Sequence, residues 1–205
     1  MKVGIIQATS QISKNNLLYQ YTKEYVDEVV NFGCFEGEKN FSYVEIALEI
    51  GLLISSQAVD FVVTGCSSGQ GMMIACNSLP NLICGYLPTP QDAYLFGRIN
   101  DGNVASLPLG LNYGWAGEIN LKATLQQLFS EPFGIGYPLK DAKRKIADTQ
   151  LIKQLNKQSK KEMITFLNEI DPQIISKIMQ KKDVINYIVH HGKDERIVQW
   201  VKSKI

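Results

Sequence analysis

The residues best equipped for chemistry lie in one run, Val62-Val63-Thr64-Gly65-Cys66-Ser67-Ser68-Gly69-Gln70-Gly71-Met72-Met73-Ile74-Ala75. Its β-branched start predicts a buried strand, its glycine- and serine-rich middle a turn, and its apolar end the start of a helix. Such a turn aims backbone N–H groups, and the positive end of the helix dipole, at whatever sits above it. A thiol in that position is favoured as the thiolate. Cys66 can therefore act as a base, while Ser67, Ser68 and the surrounding amides hold developing negative charge. The spacing is not that of a P-loop, since no Gly-Lys-Ser/Thr follows, and it is not a clean dinucleotide fingerprint. The competing reading is purely structural: the glycines permit close packing and Cys66 is a small buried residue at a strand end. Local spacing alone leaves both open.

Fold logic adds a second argument. Apolar and β-branched runs predict strands at 3–7, 60–64, 81–86 and 103–108, with a further one near 29–34. Helical spacing predicts helices at 17–30, 41–54, 72–78, 92–98 and 115–129; Leu17, Tyr21 and Val26 are the inward candidates of the first. Strands spaced by helices imply an α/β fold, a three-layer Rossmann-like arrangement around a five-stranded parallel sheet. In the common order 2-1-3-4-5, the crevice opens beyond the carboxyl ends of the first and third strands. The third strand delivers Cys66, so topology and local chemistry select the same loop.

Composition bounds the rest. The chain has 205 residues, 45% of them hydrophobic, enough for one cored domain with an appendage. No apolar run is long enough to span a bilayer, and the first residues lack the pattern of a secretory signal. Cys34, Cys66, Cys76 and Cys84 show neither zinc-type pairing nor disulfide-framework density, so a reduced, cytoplasmic setting and no metal are expected. Net charge is only +1, but residues 1–139 hold 6 Lys/Arg against 12 Asp/Glu and residues 140–205 hold 15 against 8. In that basic tail, short apolar-periodic segments at 151–155, 163–167, 174–179, 184–189 and 197–201 predict a small helical extension. Residues 1–147 are thus read as the α/β body and 148–205 as the extension. Lysines interleaved with apolar positions mark a solvated helical face rather than a nucleic-acid surface. His190 and His191, adjacent on a helix and without ligand spacing around them, are read as surface residues.

The stretch from Asp60 through Cys66 to Asn77 resembles the signature of the sugar-phosphate isomerases, the family of type B ribose-5-phosphate isomerase and the galactose-6-phosphate isomerase subunits. Asn100-Asp101-Gly102-Asn103-Val104 and Phe41-Ser42-Tyr43-Val44-Glu45 resemble two further family segments in the expected order. Gly114-Trp115-Ala116-Gly117-Glu118-Ile119-Asn120-Leu121 and Gly136-Tyr137-Pro138 look like a longer branch of it. The resemblance implies an aldose–ketose isomerase that moves a proton between neighbouring carbons of a sugar phosphate through a cis-enediolate. It implies Cys66 as base, Ser68 beside it, and an anion-holding nest of amides over Ser67, Gly69, Gln70 and Gly71. It implies Asn100 as a stabiliser of the intermediate, Arg144 as a replacement for later family arginines, and no metal or organic cofactor. It also implies a homodimer or homotetramer with the site at the subunit interface.

The chain departs from the family pattern in the first loop, Ile6-Gln7-Ala8-Thr9-Ser10-Gln11, where the family's Asp and His are missing. Ile99 stands where the family carries a histidine that assists ring opening, and an isoleucine cannot transfer a proton. Gln7, Ser10 and Tyr43, with Thr9, then become candidates for different hydroxyl contacts. A non-catalytic sugar-phosphate sensor on the same fold is the alternative.

Overall fold

The computed structural model describes residues 1–38 and 40–205. Five parallel strands, β1 (Lys2–Ile5), β2 (Glu28–Asn31), β3 (Phe61–Cys66), β4 (Cys84–Tyr86) and β5 (Val104–Pro108), form one sheet in the order β2-β1-β3-β5-β4. Successive residues of β3 feed opposite layers. Val62 joins the core under α2 (Tyr43–Ser55) and α3 (Gln70–Asn77). Phe61 and Val63 join the core under α1 (Asn15–Lys23), α4 (Pro90–Leu95) and α5 (Gly117–Leu128). The three-layer α/β architecture expected from the strand–helix alternation is the one observed.

Two local expectations are corrected. The helix predicted over 17–30 stops at Lys23; Leu18 and Thr22 turn inward, and a turn through Tyr25 and Val26 leads into β2. β-branched Val29 and Val30 instead pair in parallel with Val3 and Gly4 of β1. The last two strands are also exchanged relative to the order 2-1-3-4-5, because β5 inserts between β3 and β4. Burial explains the exchange: β5 is buried along most of its length, whereas three-residue β4, with half-buried Gly85 and Tyr86, suits an edge. The switch point between β1 and β3 is unaffected.

Beyond the sheet, α6 (Ala142–Ser159) runs as one helix through the 147/148 boundary, followed by α7 (Met163–Glu169), α8 (Pro172–Ile178), α9 (Lys182–His191) and α10 (Glu195–Lys202). Met163, Leu167, Ile178, Ile185 and Ile188 from these helices share one core with Ile46 and Ile50 of α2. The extension is therefore a cap on the α2 face. Most of its lysines are exposed as expected, but Lys181 is buried completely, which a solvated-face reading of the tail does not anticipate. His190 and His191 are exposed, and no metal-ligating cluster occurs among the described residues. No described helix is long and apolar enough to cross a membrane.

One core carboxyl makes a testable point about stability. Glu49 of α2 is 0% exposed and neither of its carboxylate oxygens has a hydrogen-bond partner among the described residues. Burial pushes its pKa well above the ordinary 4.5, with Lys181 opposing the shift. A raised folded-state pKa means that the native state holds a proton which the unfolded chain releases. Its contribution is full below about pH 4.5 and is lost as pH rises through the folded value. Glu49→Gln cannot ionise, so its denaturation midpoint is expected to gain on wild type steadily as pH is raised from 5 to 8. Parallel curves across that range would show that the fold does not raise the Glu49 pKa above its unfolded value.

Candidate active site

Three segments meet beyond the carboxyl ends of β1 and β3. The loop after β1 supplies Ala8, Thr9 and Ser10; the start of α2 supplies Phe41, Ser42 and Tyr43; the β3–α3 turn supplies Cys66, Ser67, Ser68 and Gly71. Together they line an open cleft of about 430 Å³, within the range of small-molecule sites.

Each segment is fixed by its own local chemistry. Cys66 ends β3 and is 7% exposed, its carbonyl accepting the Leu109 N–H at 3.0 Å. The turn after it reverses sharply at Gly69 (φ +76°), whose carbonyl accepts the Ser106 hydroxyl at 2.6 Å. Ser68 Oγ accepts the Gln70 N–H at 3.3 Å, so the hydroxyl sits at the N-terminus of α3, where first-turn amides lack intrahelical acceptors. Ser67 Oγ accepts from Gln11 Nε2 at 2.9 Å, and its carbonyl accepts the N–H groups of Gly110 and Leu111. On the opposite wall, Ser42 caps α2 by accepting the Val44 N–H, and Glu45 accepts the Ser42 N–H at 2.8 Å, a capping box. Thr9 ties the two walls together, donating both its N–H and its hydroxyl to the Phe41 carbonyl at 3.1 and 2.7 Å.

Gly65 shows how tightly the turn is packed. A Cβ placed there would lie 2.4 Å from the Leu107 carbonyl oxygen and 2.8 Å from two Leu109 side-chain atoms. The first neighbour is backbone of the adjoining strand and cannot swing away. Gly65→Ala is expected to lower stability by about 1–3 kcal/mol or more, read from the denaturant midpoint, because the strand that carries Cys66 must shift. A midpoint equal to wild type would show that β3 and β5 can part at that point without cost.

The structure brings Cys66, Ser67, Ser68, Gly71, Ser10 and Tyr43 to one cleft, with Gly69 and Gln70 shaping its α3 side. Gln7 is corrected from a contact residue to a support. It is fully buried, donating Nε2 to the Cys34 carbonyl at 2.8 Å and accepting from Asn15 Nδ2 at 2.8 Å, so its amide is spent holding loops together. Cys34, sealed in the same place, has its thiol pushed up to about 12 by burial and offers no competing thiolate. Asn100 and Arg144 lie elsewhere in the chain. Val62 pairs with Val104 and Cys66 with Pro108, so Asn100, preceding β5, sits at the opposite end of the sheet from Cys66. It is exposed at the end of a π turn, Phe96–Asn100. Arg144 is exposed on α6 and pairs with Asp148 at 3.0 Å. Sequence reasoning missed Gln11 and Ser42; the available signals were the position of the first loop at the switch point and the Ser-x-x-Glu spacing of the capping box.

The cleft thus offers one thiol, a ring of hydroxyls and unspent helix amides, a combination suited to a polyhydroxylated ligand that gains negative charge during reaction. A family model described as ribose/galactose isomerase matches residues 3–131. A solved structure of a 4-deoxy-L-threo-5-hexosulose-uronate ketol-isomerase, complexed with a tartrate, is 34% identical. That likeness covers 100% of this chain and 99% of that one, with a TM-score of 0.94. A ribose-5-phosphate isomerase from Vibrio parahaemolyticus is 30% identical over 100% of this chain and 99% of its own, also with a TM-score of 0.94. A type B ribose 5-phosphate isomerase from Trypanosoma cruzi, 21% identical over 76% of this chain and 98% of its own, shares the fold with a TM-score of 0.64. No curated protein sequence gives a significant match.

Proposed function

The chain belongs to the ribose/galactose isomerase family and is a sugar isomerase, and we propose that it interconverts the aldose and ketose forms of a pentose or hexose phosphate with Cys66 as general base. The observation that carries this reading is the placement of Cys66, at the β1–β3 switch point, among hydroxyls and beside the N-terminus of α3. The Cys66 thiolate takes the proton from C2 of the open-chain aldose, and the C–H electron pair becomes the C1–C2 double bond of a cis-enediolate. The carbonyl oxygen takes the charge, held by the Ser68 hydroxyl and the amides of Gly69 and Gly71. The proton returns to C1 while the hydroxyl proton passes between the two oxygens, leaving the ketose. Drawn this way, the reaction calls on no metal or organic cofactor.

A second copy of the chain completes the site in this proposal, bringing Asn100 and Arg144 to the cleft. Support comes from apolar side chains that a single chain leaves uncovered. Trp115 is 99% exposed, and Ile119, Leu139, Leu151, Ile152 and Leu155 are also exposed, the last three on α6, where Thr149 is the one buried residue. Four free, buried cysteines suit a reducing, cytoplasmic setting.

A second reading of the substrate has its own support. Among the described residues lining the cleft, none is Lys, Arg or His, and the first loop and Ile99 lack ring-opening groups. Those features favour an open-chain sugar acid, whose carboxylate needs less countercharge than a phosphate, and the 34% identical structure is that of a uronate ketol-isomerase. One experiment tests both readings: incubation in heavy water with pentose phosphates, hexose phosphates and open-chain hexuronates, reading deuterium at the carbon beside the carbonyl. Label in one class is the expected result and names the substrate. No label in any sugar would overturn the isomerase chemistry proposed for Cys66.

A further inference from the structure

We propose that Lys181 is a positioning residue for the Cys66 cleft: through Glu38 it fixes the loop after β2, whose far end supplies Phe41, Ser42 and Tyr43 to the cleft wall. The inference rests on the reading of that cleft as the active site.

Lys181 precedes the first residue of α9 and is fully buried. Its ammonium donates to both Glu38 oxygens, at 2.7 and 3.0 Å, and to both Asp183 oxygens, at 3.0 and 2.9 Å. Glu38 in turn accepts the Phe35 N–H at 2.7 Å, closing the turn it belongs to. Lys181 Nζ lies 5.4 Å from the centre of the Phe35 ring, and Lys177 Nζ lies 4.8 Å from the centre of the Phe41 ring. The extension thus approaches the loop at Phe35 and at Phe41. Separate hydrogen bonds then tie this loop to the segment after β1. Gln7 N–H donates to the Gly33 carbonyl at 2.8 Å, Cys34 N–H to the Gln7 carbonyl at 3.3 Å, and Thr9 to the Phe41 carbonyl. Two and three residues beyond Gln7, Thr9 and Ser10 line the cleft.

The energetics favour a geometric role. Removing an ammonium from water costs several kcal/mol, and a well-packed apolar residue often replaces a buried ion pair without loss of stability. What an apolar residue cannot supply is direction. Two charge-assisted hydrogen bonds hold the Glu38 carboxylate on Lys181, and two more hold Lys181 on Asp183 of α9, so the loop is fixed at Glu38 against a helix of the extension. The basic tail therefore contains one lysine whose task is internal.

Lys181→Met keeps the length of the side chain and removes the charge. The variant is expected to melt below wild type, because Glu38 and Asp183 lose their counter-ion, while amide exchange at Cys34, Phe35 and Thr9 rises. KM for the sugar that shows label in heavy water is expected to rise about tenfold, with kcat changed much less, since loosening a wall misplaces bound substrate. Alkylation of Cys66 by iodoacetamide should change severalfold, a readout independent of whether any sugar is turned over. Glu38→Gln is expected to give the same pattern, and the double variant no more than either single one. Unchanged exchange and alkylation would overturn the proposal, as would raised exchange with KM unaltered. Absence of turnover in wild type counts against the isomerase reading alone, leaving the exchange and alkylation results to judge Lys181. Should Lys181→Met melt far below wild type, Glu38→Gln carries the same comparison.

Discussion

Cys66→Ala is expected to stop both isomerisation and solvent deuterium uptake, lowering kcat by about 10²–10⁴-fold, the usual worth of a positioned general base. KM should move little, because the hydroxyls and amides that would hold the sugar belong to other residues: Ser10, Ser42, Ser68 and the first turn of α3. A mutation that lowers kcat and kcat/KM together has removed an interaction made in the transition state. The structure leaves few substitutes. Among the described residues lining the cleft, Tyr43 is the other ionisable side chain, 43% exposed on the far wall and packed against Gly71. Cys66→Ser should be nearly as inactive, since an alcohol is far too weak an acid to be present as its anion near neutral pH. Substantial exchange surviving in Cys66→Ala would move the base elsewhere, with Tyr43 the first residue to test.

Much of this site was legible in the sequence because its parts are local. The strand-turn-helix run from Phe61 to Asn77 states its own geometry, since β-branched residues, Gly65, Gly69 and an apolar helix follow one another without interruption. The parallel sheet followed from the alternation of such runs. What failed was set by tertiary partners. β2 is a half-buried edge strand whose apolar signal merges with the helix before it, so helical spacing in the sequence runs on to Val30. Gln7 sits in a loop full of polar residues, and only its fully buried amide shows that it braces Cys34 and Asn15. Lys181 resembles every other lysine of the tail until Glu38, distant in the sequence, is seen against it. Side chains used by distant segments leave no periodic trace.

The separation of Asn100 from Cys66 leads to a second large effect. Asn100→Ala alone is expected to lower kcat by about 10²–10³-fold if its amide holds the enediolate oxygen, as a lost oxyanion donor does. Asn100 is exposed and outside both cores, so the fold should survive the change. The register of β3 and β5 places it at the other end of the sheet, out of reach of its own Cys66. If a second copy brings it to the cleft, two inactive variants should restore one another. A mixed dimer of Cys66→Ala and Asn100→Ala contains one cleft with both native residues and one with neither. Random exchange makes about half of the dimers mixed, each with one working site of two, so about a quarter of wild-type activity should return. The recovery should need unfolding and refolding together, or slow subunit exchange, and should scale with the fraction of mixed dimer. Activity no greater than the average of the two variants would show that Asn100 does not serve the cleft of another subunit. In that case the exposed face of Trp115, Leu151 and Leu155 would need a different explanation from completion of the site.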